Sequence, residues 1–304
     1  MKAMNKALVV LALSALCSPV LGQQPLQEWT LASPSPDWNN ALNWGCLGDD
    51  CPQPGPDAYP DNALADVIIP DVTNGNDPTV NDPGTPDAYT VKTLTLKGAA
   101  VLTIPVVDEC SLNPLCMRLI VYGHDGVKLE DTSKIEIAGG VLKLYGGGKL
   151  DIAPGAMIEF TTANGRLRFA DNTDDPHAPL YEIPGGSSAV AIKGTAHGII
   201  DGRGPATLVL WDREITGFLT IYVRLINNGR VVADELGHWI TLACQPKGGS
   251  GIWRMDHVGA KIIVWTAVTG TAESKIELID GVLSVADLWV TAGTLDWQGG
   301  TITA

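Results

Sequence analysis

Phenylalanine is almost missing from this chain, with 3 copies in 304 residues, and all aromatic residues together make up 6%. A core built from such a chain must rest on Val, Ile, Leu and Ala instead of stacked rings. Positive charge is also scarce: Lys and Arg total 20 against 34 Asp and Glu, for a net charge of −14 at pH 7. That balance repels phosphate backbones and anionic lipid headgroups, so nucleic acid is excluded as a natural partner. Helical periodicity is absent beyond a turn or two, and the one long apolar run, residues 7–16, is too short to span a bilayer. No transmembrane segment is expected. Serine-nucleophile motifs, Walker loops and dinucleotide fingerprints are missing as well, and Gly146-Gly147-Gly148 precedes a β-type run, so no helix N-terminus follows it to cradle phosphate.

What is present begins with an address. Residues 1–22 carry Lys2 and Lys6, then the apolar run, then Val20-Leu21-Gly22, the three-part layout of a secretory signal peptide, which places the mature N-terminus at Gln23 and the protein outside the cell or on its surface. Cysteine use agrees with export. Cys46 and Cys51, and Cys110 and Cys116, form two close pairs among Pro, Gly and Asn, the spacing of small disulfide-closed loops. Zinc would need tighter pairs with a nearby His. Cys244, in Ile240-Thr-Leu-Ala-Cys244, reads as a buried, inert thiol.

The chain then divides at about residue 90. Residues 23–90 are rich in Pro, Asp and Asn and carry Trp29, Trp38 and Trp44. They read as an N-terminal cap with loops and a few short strands such as Asp66-Val-Ile-Ile69. From residue 91 to 304 short period-two runs recur: Thr93-Leu-Thr-Leu96, Lys134-Ile-Glu-Ile137, Lys149-Leu-Asp-Ile152, Met157-Ile-Glu-Phe160 and Arg166-Leu-Arg-Phe169, resuming as Thr207-Leu-Val-Leu210, Lys275-Ile-Glu-Leu278 and Thr294-Leu-Asp-Trp297. Each puts its aliphatic residues on one face and its polar residues on the other. Gly139-Gly140, Pro154-Gly155 and Asn164-Gly165 supply the turns between them. The fold class is all-β. Self-similarity at this spacing favours a parallel β-helix over a sandwich: three short strands close one coil, and stacked coils bury the inward residues in a continuous core.

Three segments also carry a resemblance. Trp38-Asn-Asn-Ala41-Leu-Asn43-Trp44, then Val91-Lys-Thr-Leu-Thr-Leu-Lys-Gly98-Ala-Ala-Val-Leu-Thr-Ile104, then Gly293-Thr-Leu-Asp-Trp297-Gln-Gly-Gly300-Thr-Ile-Thr303 are similar to the opening and the glycine repeats of bacterial secreted right-handed β-helix proteins of the pectin-lyase-like type. The resemblance implies an exported solenoid capped by its Trp-rich segment, on a fold that hosts adhesins, structural stalks and polysaccharide-cleaving enzymes.

Catalytic candidates follow from it. Gly198-Ile-Ile-Asp201-Gly202-Arg203-Gly204 is similar to the Ile-Asp-Gly-x-Gly turn of polygalacturonases, and Asp174 and Asp175 stand in an Asn172-Thr-Asp-Asp175 run. In those enzymes the acidic run follows the turn, whereas here it precedes it, and no Arg-x-Lys comes after. Inverting glycosidases need a spaced carboxylate pair, and Asp174 and Asp175 point to opposite sides of an extended chain. Lyase chemistry would draw on Asp212-Arg213-Glu214 or Arg254-Met-Asp256-His257, which read more simply as ion-paired exposed faces around Trp211 and Trp253. His177 with His197, and His238 with His257, are spaced to become neighbours on stacked coils. Structural Ca²⁺ has a candidate set in Asp71, Asn74 and Asp77, against the simpler reading of solvated turns.

The outward residues Thr93, Thr95, Lys143, Asp151, Glu159 and Arg168 are scattered polar groups with no converging acids and bases. The expectation is a non-catalytic secreted or cell-surface solenoid, structural or adhesive, with glycans as candidate ligands and Trp211, Trp239, Trp253, Trp265 and Trp289 as candidate stacking residues. A polysaccharide lyase or hydrolase on the same fold is the alternative. The repeat pattern runs to Thr303 without a polar cap, so further coils or a partner chain are expected to cover that end.

Overall fold

The computed structural model describes residues 26–30, 37–38, 43–47, 65–71, 77–80, 89–106, 118–170, 179–202, 205–266, 268–285 and 293–303. The chain is all-β: the described residues form strands and turns, with no α-helix among them. No helix of the described residues is long and apolar enough to cross a membrane.

Three parallel ladders organise the strands. The first carries Val101–Pro105, Lys134–Ala138, Met157–Thr162 and the leading half of Val190–Gly202, then passes through the later strands to Thr294–Trp297. The second runs from Tyr89–Val91 through Arg118–Val121, Val141–Leu144 and Arg166–Phe169 to the trailing half of Val190–Gly202, and ends at Thr301–Thr303. The third links Asp66–Ile69, Thr93–Leu96, Val127–Leu129 and Gly148–Ile152, continuing from Gly148–Ile152 through Leu180–Ile183 to Val268–Gly270.

Pairing residue by residue stacks like upon like. In the first ladder Leu102, Ile135, Ile158, Ile192, Ile215, Val231, Trp253 and Ile276 occupy one inward column, and every one is buried. Period-two alternation alone produces this, because a parallel register that matches one inward residue matches all of its alternates. The inward columns merge into a single apolar cluster. Trp253, a candidate sugar platform by sequence, belongs to that column and is buried, so it is withdrawn from the exposed set.

The one extended antiparallel pairing among the described strands joins Leu26–Trp29 to Trp44–Leu47. Leu26–Trp29 also pairs in parallel with Asp66–Ile69, which sets it at the start of the third ladder. There Trp44 meets Trp29 edge-on at 5.0 Å and Trp38 at 4.8 Å, and its Nε1 donates to the Trp38 carbonyl. At the other extreme Leu295 stacks in register on Ile276 yet is 49% exposed.

The later strands are longer than the sequence suggests. Val190–Gly202, Ile252–Val264 and Lys275–Val285 each serve the first ladder with one half and the second with the other, and Thr207–Ile221 passes through the third, the first and the second in turn. Gly217 shows how: it takes φ 95° at the bend, where a Cβ would press into the Gly194 carbonyl of the strand beneath. The chain turns the corner without leaving the sheet.

Candidate functional site

The outward faces of the first two ladders differ in chemistry. Along the first, charges alternate and are paired: Lys134 Nζ lies 3.3 Å from Glu136 and 2.8 Å from Glu159, and Arg230 contacts Glu214 at 3.5 Å. Arg254 reaches Asp256 at 2.9 Å and Glu277 at 3.4 Å, and Lys275 reaches Glu277 at 2.8 Å and Asp296 at 3.1 Å. The hydrogen bond to Glu159 holds the Lys134 ammonium above the usual lysine range, and burial pushes the Glu214 carboxyl up. Its acids are committed to neighbouring cations.

Along the later strands of the second ladder most outward residues are aromatic, aliphatic or hydroxyl-bearing. His197, Phe218, Trp239 and Lys261 form one outward column, and Ile199, Thr220, Thr241, Ile263 and Ser284 form the next. Asp201, Tyr222, Ala243 and Trp265 continue a third, fixed by the bonds from Tyr222 N to Ile200 O, Ala243 N to Ile221 O and Trp265 N to Leu242 O. Ring centroids lie 4.6 Å apart for His197 and Phe218 and 4.3 Å for Phe218 and Trp239, while His238 stacks on Phe218 at 5.9 Å with an 18° interplanar angle. His197 Nε2 meets Thr220 Oγ1 at 2.9 Å, and burial lowers the affinity of this imidazole for protons, so it is neutral at pH 7.

Trp239 and Tyr222 are each 38% exposed and Trp265 is 65% exposed, whereas Thr220 and Thr241 between them are buried. The result is a trough with aromatic walls and a hydroxyl-bearing floor. Its walls stand four residues apart along the strand, roughly 13 Å at 3.3 Å per residue. Trp211, the other exposed candidate, lies on a different part of the surface, where its Nε1 donates to Glu182 at 3.2 Å. Trp289 lies outside the described residues.

Asp201 sits at the upper end of the trough. It is gripped by Arg168, whose Nε and Nη2 donate to its oxygens at 3.0 and 2.7 Å, and Arg166 approaches to 3.5 Å. A carboxylate whose two oxygens are engaged by guanidinium donors suits a structural anchor. Asp174 and Asp175 lie outside the described residues.

Of the calcium candidates, Asn74 lies outside the described residues. Asp77 accepts the Val101 amide at 3.0 Å, and burial raises its pKa, with the Asp71 and Glu136 charges adding to the rise. One of its oxygens is therefore taken up in holding a strand. Among the described residues no group of three or more His, Cys, Asp or Glu is placed to hold a metal ion.

Several expectations need correction. Arg213 is not part of an exposed ion-paired face: it is 2% exposed and donates to the carbonyls of Ile152, Ala153 and Val190. Lys143, read as a scattered outward charge, is buried against Tyr145, whose hydroxyl accepts a hydrogen bond from its ammonium and whose ring lies 4.3 Å beneath it. Cys244 is exposed, because its backbone takes φ 62° at a corner that turns its side chain away from the apolar strand before it. Of the disulfide candidates, Cys46 lies in the strand Trp44–Leu47, while Cys51, Cys110 and Cys116 lie outside the described residues.

The trough itself had a signal in the sequence. His197, Phe218, Trp239 and Lys261 are spaced 21, 21 and 22 residues apart, a near-constant interval that sets them on successive strands of one ladder. His238 and His257 do not form a site: His238 Nδ1 lies 3.3 Å from Glu235, and His257 Nδ1 contacts the Val258 carbonyl. No family model, curated protein or solved structure matches this chain.

Proposed function

We propose that this chain is an exported, non-catalytic β-solenoid, structural or adhesive in role, that holds glycans on the trough of its second ladder. Three parallel ladders joined by short corners support walls of a parallel β-helix, and the strong right-handed preference of parallel crossovers supports its hand. The Trp29, Trp38 and Trp44 cluster is read as the cap of the first coil, consistent with the likeness to pectin-lyase-like repeat proteins. The leader-like residues 1–22 place the protein on the cell surface or outside it.

One observation carries the glycan reading: His197, Phe218 and Trp239 fall in one outward column of adjacent strands, in contact, with Trp239 open to solvent. Aromatic side chains with one exposed face bury large area on a sugar ring at little conformational cost. The test is a glycan array probed with residues 23–304, alongside incubation with pectin, polygalacturonate and alginate. Retention without turnover is the expected result. New reducing ends or unsaturated products that disappear in Asp201→Asn would replace this reading with a polysaccharide-cleaving one.

A further inference from the structure

The faces of the molecule differ in how much uncompensated charge they present, and that difference bears on the ligand. Between Tyr222 and Ser284 the trough floor is Thr220, Thr241, Ile263 and Ser284, and its walls are Phe218, Trp239, Tyr222 and Trp265. None of these eight side chains ionises near neutral pH. Lys261 borders the lower end and Glu235 lies beside His238 at the rim, while at the upper end Arg168 and Arg166 share the single Asp201 carboxylate, so that one positive charge is left over there, outside the Trp239 and Trp265 stretch.

We infer that the trough binds a neutral polysaccharide, threading it across the strands with its ring faces on Trp239 and Trp265, and does not bind a polyuronate or sulfated chain. This rests on the glycan reading above. A chain of net charge −14 repels an anionic polymer over distances of about a Debye length, roughly 8 Å at physiological salt. An anionic ligand would need a local cluster of free cations to offset that repulsion, and the lower trough offers Lys261 alone. A neutral glycan needs none. Its axial and equatorial C–H faces meet exposed rings, while its hydroxyls stay in water at the open top. The elongated shape matches a linear occupant: the walls extend over several stacked strands in one direction.

A second protein is the less suitable occupant, because the floor is interrupted by Thr and Ser hydroxyls and lacks the contiguous aliphatic centre of a stable protein interface.

Affinity electrophoresis and calorimetry of residues 23–304 test this with hydroxyethyl cellulose, xylan and glucomannan against polygalacturonate and alginate, each at low and high salt. Binding to at least one neutral polymer, insensitive to salt, is expected. Trp239→Ala and Trp265→Ala should each weaken it about tenfold, the loss of one ring stack, while Trp211→Ala leaves it unchanged; circular dichroism confirms that the variants fold. Salt-sensitive binding to the polyuronates alone would overturn the neutral assignment and leave the glycan reading intact. Neutral binding indifferent to Trp239→Ala and Trp265→Ala would overturn the trough as its site. Absence of binding to every polymer would sink both, as would self-association abolished by Trp239→Ala in place of sugar binding.

Discussion

Residues 89–170 and residues 190–285 build the same ladders by different means. In the earlier region strands of three to six residues end at corners made by Asp125, Asp131 and Asn164, all at positive φ. There the side chains cap the backbone: Asp131 accepts the Gly98 amide at 3.2 Å and Asp125 accepts that of Lys149. In the later region four strands of 11 to 15 residues bend through glycine and keep their pairing, so fewer turn side chains are available at those corners. Polar groups inside the molecule take over that role. Arg213 bonds three carbonyls from within, and the buried Asn227 accepts the Gly229 amide at 3.1 Å and donates to Ile252 O at 3.0 Å. Lys247, in the inward column between Leu225 and Val268, donates to the Ala243 and Gln245 carbonyls. Backbone carbonyls must find a donor wherever the chain turns away from its ladder. The earlier strands meet that need at the surface and the later strands meet it in the core, at the cost of burying charge.

That cost gives the largest expected effect. Lys247 is 1% exposed, and burial lowers its pKa to about 7. In the unfolded chain the same ammonium titrates near 10.5. Between those values the unfolded state binds a proton that the folded state does not, so stability rises as pH climbs from 7 toward 10.5, by on the order of 4 kcal/mol. Below pH 7 both states are protonated and the folded state carries the full burial penalty. Urea titrations across this range should show the rise in the wild type and its loss in Lys247→Met. Leu150, an inward residue of the third ladder in the earlier region, is apolar, so Leu150→Met should leave the pH profile unchanged. Equal slopes for wild type and Lys247→Met would erase the contrast between the two regions.

Glycine provides the second test. Gly217→Ala adds a Cβ against the Gly194 carbonyl at φ 95°, and an expected loss of about 3 kcal/mol combines backbone strain with a displaced ladder bond. Gly237 also has positive φ, 78°, but open space around it, so Gly237→Ala should cost about 1 kcal/mol. Thermal melts of both variants compare a bend inside the ladder with a turn outside it.

Legibility from sequence follows the same division. Ile135, Ile137, Leu150 and Ile152 were readable as core because strict alternation has one physical solution, a strand with one buried face. Trp253 and Lys247 were not, since whether a residue faces inward depends on a register set more than 20 residues away, and the local pattern Ile252-Trp-Arg-Met255 alternates correctly on either face. The long bent strands were hidden because Gly194, Gly217 and Gly281 signal a turn in sequence, whereas in the structure they bend a strand that keeps its partners. Of the trough, Trp239 and Trp265 were legible as candidate rings. Their assembly with Phe218 and Tyr222 was not, since it required knowing which strands stack.

The smallest effect concerns the paired charges of the first ladder, which resemble each other in both regions. Lys134 bridges Glu136 and Glu159 in the earlier region, as Arg254 bridges Asp256 and Glu277 in the later one. Both cations are about 30% exposed, so solvent screens each pair and its contribution is about 0.5 kcal/mol. Lys134→Met leaves Glu136 and Glu159 facing one another across neighbouring strands, adding a like-charge repulsion of similar size. The expected loss is therefore about 1 kcal/mol at low salt, shrinking as salt is raised, because the lost attraction and the new repulsion are both screened. Arg254→Met should lose less, about 0.5 kcal/mol, since Lys275 still bridges Glu277 to Asp296. A loss above about 3 kcal/mol in either variant, unchanged by salt, would mean that these surface pairs hold the strands in register as the buried polar groups do.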